Sequence, residues 1–556
     1  MPPEPEPNPA ELPAGARRHE PARRSFAAGL WTVASSTLVS RILGMLRDTV
    51  TARMFGVSPV TDAFWLAFKI PNLARRLFGE GALTAAFLPA FSRELIQTEG
   101  GPGDSAWQLA SAVFSLLAAV LVALVVIGEG GLWIVSRWGV VDEHTRLLLG
   151  LTAVMLPYAL LICLAAQVTA VLHALGHFTW PAMVPVVLNL FWISSIWLVD
   201  PWFAPDQTAQ AYALAVCVVV AGLFQLTLQL PTLRRLGFRF QTTWTAAWPA
   251  VRDIFRAMLP VMFGLSIEQI NTLLDGLIAW GFSQPETGGT LPLPGRPAYP
   301  LQAGAVSALY FGERLYQFPV GVFGVALGTV LFPLFARHAA EGAIDRLRDD
   351  LSLGLRLVLA IGIPASAGLM LVAEPLTRLI LEHGEFTIDD SRRTAALIVA
   401  YGAGVWAFCG LPILYRGFYA IGDRSSPVRV GMMAVVGDLL LNLTLIWPLA
   451  ERGLAWSTAL SAVVQGGCLV WLIQRRVGRL DWPRLRATAA RTSVATLLMA
   501  CTCLVAKAIV PFDGDRLQQA GALVIPVVSG VAAYLLAARI LGLSELQWIL
   551  SRRPPS

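Results

Sequence analysis

A chain of 556 residues, of which 56% are hydrophobic and 14% charged, with a mean hydropathy of +0.62, reads as a polytopic membrane protein and not as a soluble domain. The net charge of +6 fits basic loops on one membrane face in contact with anionic lipid and gives no reason to invoke nucleic acid. Six cysteines in apolar runs without metal-ligand spacing, and no HExxH, Walker loop or GxSxG, leave neither a disulfide framework nor ATPase or hydrolase chemistry.

Residues 1–25, rich in Pro, Glu and Arg, read as a disordered cytoplasmic tail with no cleavable signal. Apolar runs of about 20 residues then give about fourteen spans, starting near positions 29, 62, 106, 147, 180, 208, 257, 303, 351, 394, 427, 453, 490 and 519. Arginines before the first span, between the sixth and seventh, and after the twelfth all fall on one side. The positive-inside rule therefore places both termini in the cytoplasm.

The first span carries Arg41, Arg47 and Asp48, and the second Asp62, Lys69, Arg75, Arg76 and Glu80. Facing lipid, Arg41, Arg47 and Arg76 together would cost roughly 8 to 10 kcal/mol, so these residues are expected to face an aqueous pathway for a polar or charged cargo. At 100° per residue Asp62, Lys69, Arg76 and Glu80 fall within about 40°, a charged stripe, with Glu80 one turn beyond Arg76 and Arg75 off the stripe. Structural ion pairs are the competing explanation. Surplus positive charge favours an anionic cargo, and guanidinium forks suit phosphate oxygens. The eighth span adds Glu313, Arg314 and Gln317 before Pro319. In the second half Asp438 and Asn442, with Asp275 and Thr458 in neighbouring spans, read chiefly as interhelical hydrogen bonding and alternatively as oxygen ligands for a monovalent cation such as Na+.

An internal repeat is legible. PAFSR at Pro89–Arg93 matches PLFAR at Pro333–Arg337, HALGHFTWP at His173–Pro181 matches YAIGDRSSP at Tyr419–Pro427, and Asn189-Leu190 matches Asn442-Leu443. The offsets imply two six-helix halves in the same orientation, 26–240 and 250–480, with two further helices over 485–545. The expected fold is thus all-α and polytopic, two lobes in pseudo-two-fold arrangement plus a C-terminal pair.

SRILGMLRDTVTARMFG, TDAFWLAFKIPNLARRLFGEGALTAAFLP and GERLYQFPVGVFGVALGTVLFP together resemble the MurJ (MviN) family of bacterial lipid II flippases in the multidrug/oligosaccharidyl-lipid/polysaccharide exporter superfamily, over about Phe26 to Ile540. The resemblance implies a central cavity, a lipid-tail groove in the last two helices and a location in the bacterial inner membrane. It also implies a cargo: undecaprenyl-pyrophosphate bearing the peptidoglycan disaccharide-pentapeptide, moved from the cytoplasmic to the periplasmic leaflet. Arg41, Arg47 and Arg76 match arginines that engage the pyrophosphate and headgroup, Arg75 and Arg314 match sensitive positions, and Asp62 and Glu80 match the acids of the second helix. Asp48, Asp62, Lys69, Glu80, Glu313 and Gln317 form the expected gating or ion-pair set, with Glu313 replacing the family's Asp and neutral Gln317 an acid. Asp275, Asp438, Asn442 and Thr458 approximately match a sodium site found in some relatives.

A transporter needs no catalytic residue and no cofactor beyond a coupling ion. Its expected partners are lipid II, membrane lipids and the peptidoglycan synthesis machinery. Alternatives are an exporter of another lipid-linked oligosaccharide or drug, a polytopic glycosyltransferase using Glu382, Glu385, Asp389 and Asp390 of the 374–393 loop, or an envelope scaffold. The loop from Ser283 to Gln302, rich in Pro and Gly, has no expected role.

Overall fold

The computed structural model describes residues 14–96, 103–139, 141–243, 245, 247–285, 288–292, 294–510 and 516–545. Helix follows helix along these residues, and the only β-pairing among them is two isolated bridges, Ser283 to Leu301 and Thr290 to Ala298, where the 283–302 loop folds back on itself. Ten helical segments are long and apolar enough to cross a membrane. A pair bent by 46° makes an eleventh. The expected fourteen are not reached by that measure, which is confined to the described residues; the other three expected spans are α1 (Ala14–Phe55), α2 (Pro59–Ala74) with its continuation, and α9 (Trp248–Phe282).

Helix α1 already includes residues 14–25, assigned to the disordered tail on composition, because the Ala and Arg that dominate this stretch are good helix formers. Residues 1–13 lie outside the described residues.

The chain divides into two compact units. The first comprises the described residues up to Val50 and Ala67–Leu265. It holds a π-helical segment π1 (Arg75–Gly81), α3 (Ala82–Ile96), α4 (Asp104–Trp138), α5 (Glu143–Ala174), α6 (Thr179–Phe203), α7 (Gln207–Thr227) and α8 (Leu230–Arg235). Helix α5 packs on α4 and α7, with Leu151, Met155, Tyr158 and Cys163 buried. Between apolar helices association rests on close packing and interhelical hydrogen bonds. Gln225 accordingly donates to the Val184 carbonyl at 2.6 Å, and Gln229 to that of Ala165 at 3.2 Å.

The second unit comprises Thr51–Leu66 and the chain from Ser266 onward. It contains α10 (Ala305–Pro319), π2 (Val320–Val325), α11 (Ala326–Ala340), α12 (Ile344–Leu381), α13 (Ile388–Gly402), α14 (Val405–Ala420), α15 (Ser425–Leu449), α16 (Glu451–Val477), α17 (Trp482–Ile509) and α18 (Arg516–Ile540). Helices α17 and α18 share a small core of Ala495, Met499, Cys503, Tyr534, Ala537, Ala538 and Leu543, and both pack on α12. Polar contacts fix that docking: the Tyr534 hydroxyl donates to the Ala360 carbonyl, Lys507 Nζ to that of Leu371 at 2.9 Å, and Glu545 accepts from Arg356 at 3.2 Å and Thr488 at 2.8 Å.

The two π segments carry the sequence repeat into structure. Helices α2 and α10 start 246 residues apart, π1 and π2 245, and α3 and α11 244. A π turn is rare in helices and concentrates at functional positions. Its recurrence at one offset makes chance similarity an inadequate explanation of the repeat.

Candidate functional site

Arg47 and Asp48 are both buried, and they bind one another: Arg47 donates to Asp48 Oδ1 through Nε at 3.0 Å and Nη2 at 2.7 Å. The guanidinium also lies 4.7 Å over the ring of Trp192 on α6, a cation–π contact that compensates part of its desolvation. Asn189, one turn earlier on α6, donates to the Ser40 carbonyl at 3.1 Å and fixes α6 beside this stretch of α1. At seven residues' spacing Arg41 and Asp48 lie on one face of α1. The guanidinium that reaches Asp48 belongs to its chain neighbour, because a long Arg side chain can bend round the 100° between adjacent positions. Arg41 is exposed, beside exposed Leu38 and Ile42.

Asp62, fully buried, accepts from both the backbone N–H and the hydroxyl of Ser307 at 2.7 Å. It thereby satisfies a donor in the first turn of α10, where a negative charge is also favoured by the helix dipole. Close approach is enforced by Gly304, which has φ +86° and whose missing Cβ would lie 2.5 Å from Val57 Cγ1. Trp65 stacks on Tyr310 at 3.6 Å, one helical turn further along each helix.

Beyond Asp62 the expected stripe does not continue as drawn. Lys69 is half-buried on α2, but from Arg75 the chain runs as a π turn, in which residues no longer advance by 100°, so Arg76 is displaced from the line through Asp62 and Lys69. Arg76 is exposed. Arg75 donates twice to Asn72 Oδ1, at 2.9 and 2.8 Å. The side chain of Glu80 lies outside the described residues.

On α10, Glu313 and Arg314 are half-buried, and Gln317 donates to Glu313 Oε1 at 2.7 Å. A neutral amide at 317 holds this acid where a second carboxylate would repel it.

The second unit gathers the carboxylates of its middle helices. Asn271 donates to Asp438 Oδ2 at 2.9 Å, Asn442 donates to Asp275 Oδ1 at 2.6 Å and approaches Asp438 Oδ2 at 3.4 Å, and the Ser457 hydroxyl donates to Asn442 Oδ1. Asp438 is 1% exposed, and its Oδ1 has no hydrogen-bond partner. Thr458 instead donates to the Leu454 carbonyl at 3.0 Å. Sequence reasoning thus found three members and missed Asn271 and Ser457; Asn271 lies one turn before Asp275, a spacing that could have identified it. Among the described residues no three of His, Cys, Asp and Glu converge as a metal cage.

Glu382 and Asp390 of the 374–393 loop have structural partners. Glu382 pairs with Arg378 at 3.0 Å, and Asp390 completes a capping box with Thr387 at the start of α13. Arg393 ties the end of the 283–302 loop by donating to the Ala303 carbonyl at 2.7 Å and that of Gln302 at 3.1 Å, while pairing with Glu451 at 2.5 Å.

A family described as lipid II flippase MurJ matches residues 51–515. A relative from Vibrio cholerae serotype O1, described as a probable lipid II flippase MurJ, is 32% identical over 450 residues, spanning 79% of this chain and 81% of its own. Among solved structures, a lipid II flippase MurJ in an inward closed conformation matches with a TM-score of 0.72 at 20% identity, over 94% of this chain and 99% of that one. An inward-facing multidrug-resistance MATE transporter of the MOP superfamily matches at 0.59 and 14% identity, over 81% and 96%. At such identities both structures speak for the fold alone.

Proposed function

Because the chain belongs to the lipid II flippase MurJ family, a family of multi-pass transporters and not of enzymes, we propose that its cargo is undecaprenyl-pyrophosphate bearing the peptidoglycan disaccharide-pentapeptide. The cargo passes from the cytoplasmic to the periplasmic leaflet of the inner membrane by alternating access. The observation that carries this reading is the exposure of Arg41 and Arg76 in two of the expected spans, within one unit. Each such guanidinium facing lipid costs about 2.5 to 3.5 kcal/mol, whereas one facing a pyrophosphate gains charge-assisted hydrogen bonds. Arg75, held by Asn72 next to Arg76, and Arg314 complete the set that engages the headgroup. Arg47 supports it from a buried ion pair. The α17–α18 pair receives the isoprenoid tail. The basic loops put both termini in the cytoplasm, with membrane lipids and the peptidoglycan synthesis machinery as the remaining partners.

No covalent chemistry is involved, so the rate rests on charge placement. Arg76→Ala is expected to reduce lipid II translocation in reconstituted vesicles by about tenfold or more while membrane abundance stays at the wild-type level. Full translocation by that variant would remove the arginines from the reading.

For coupling we propose a monovalent cation at the Asp438 cluster. The partnerless Asp438 Oδ1, the second carboxylate of Asp275 and the hydroxyl of Ser457 supply hard oxygens suited to Na+. The membrane potential adds about 2.3 kcal/mol per charge per 100 mV. Sodium chloride is expected to raise the melting temperature of the purified protein more than choline chloride does, an increment lost in Asp438→Asn and kept in Thr458→Val. Equal melting in both salts would rule the site out.

A further inference from the structure

The repeated π turns share a packing partner as well as an offset. In π1 a Cβ added at Gly79 would lie 3.0 Å from Ala166 Cβ and 3.6 Å from Cys163 Cα on α5. In π2 a Cβ added at Gly324 would lie 2.8 Å from Cys409 Cα and 3.2 Å from its carbonyl oxygen on α14. Gly79 and Gly324 are 245 residues apart, and Cys163 and Cys409 are 246 apart. Each widened turn is seated by a glycine against the same position of a repeat-related helix.

The two copies then diverge. Arg416 on α14 secures π2, donating to the Val325 carbonyl at 3.1 Å and to Thr329 Oγ1 at 3.0 Å, in space left by Gly328, where a Cβ would lie 1.9 Å from Arg416 Nη1. The corresponding position on α5 is Ala170, which has no such reach. Segment π1 instead carries Arg75 and Arg76 themselves. The Cβ that Gly79 lacks would also stand 3.8 Å from Arg75 Cγ. The side chain that bonds Asn72 therefore passes directly over this glycine.

We infer that Gly79 is a positioning residue for cargo binding: by letting π1 sit on α5 at Ala166 it sets the direction of Arg75 and Arg76. The inference rests on the reading that these arginines hold the pyrophosphate. Gly79 lies in a helical segment without positive φ, and alanine is a better helix former than glycine, so a methyl there changes placement without breaking the helix.

The test uses the full chain in vesicles, with binding of undecaprenyl pyrophosphate and of lipid II measured beside the melting temperature. Gly79→Ala is expected to weaken both affinities by about tenfold or more at an unchanged melting temperature. Adding Ala166→Gly, which removes the methyl that the new one meets, is expected to restore them to within about twofold. Wild-type affinity in Gly79→Ala overturns the inference, and so does a loss that Ala166→Gly leaves in place, with or without a fall in melting temperature. Arg76→Ala, run in parallel, answers the other question: if it binds both lipids normally, the arginine reading fails whatever Gly79→Ala does.

Discussion

Arg47→Ala is expected to destabilise the protein by about 3 to 5 kcal/mol, the usual cost of removing one partner from a buried ion pair. Asp48 is 1% exposed and accepts two short guanidinium bonds from Arg47, which are lost, while the Trp192 face loses its cation. The melting temperature and membrane abundance should fall together. The headgroup role that the family resemblance implies for Arg47 predicts instead an inactive variant at normal abundance, as for Arg76. Replacing both members, Arg47→Ala with Asp48→Ala, should recover most of the lost stability, since a buried pair is often nearly neutral against apolar replacements. Translocation should stay low in the double variant if the buried guanidinium also supports the headgroup. A single variant that melts like the wild type would show that Asp48 does not depend on Arg47.

Asp62→Ala should cost about 1 to 3 kcal/mol, expected from a helix cap lost with the buried Ser307 N–H left without an acceptor, while the Ser307 hydroxyl keeps the Gly304 carbonyl at 3.0 Å. Asp62→Asn keeps the one oxygen that accepts both Ser307 bonds and loses mainly the interaction with the helix dipole, so its loss should be smaller by about 1 kcal/mol or more. Amide exchange in the first turn of α10, read on Ser307 and Ala308, should accelerate strongly in the alanine variant and little in the asparagine variant. Unchanged exchange in Asp62→Ala would mean that α10 is capped by something other than this carboxylate.

Most of the architecture was legible because membrane insertion writes itself into composition. A run of about 20 apolar residues is a span whatever surrounds it, and a repeat at a fixed offset survives as Pro, Gly and Asn landmarks. What escaped depends on rotation and neighbours. The choice between Ser457 and Thr458 is 100° of helix rotation, which a spacing argument four residues wide does not resolve. The Arg47–Asp48 bond is invisible to a helical wheel, since adjacent residues do not share a face and only the reach of the arginine side chain joins them. The π turn at Arg75 breaks the 100° advance on which the charged stripe was drawn, so Arg76 leaves the line through Asp62 and Lys69. Residues 14–25 were judged on proline and charge, while alanine and arginine carry them into α1.

The matching π turns also leave the two halves unequally braced. An irregularity this uncommon stands at the same place in both halves and is seated on corresponding cysteine-bearing helices. In one copy Arg416 spans the turn from α14, and in the other the turn is lined with Arg75 and Arg76 and meets α5 through Gly79. The same departure from the regular helix thus serves as a fixed joint in one half and as a carrier of charge in the other.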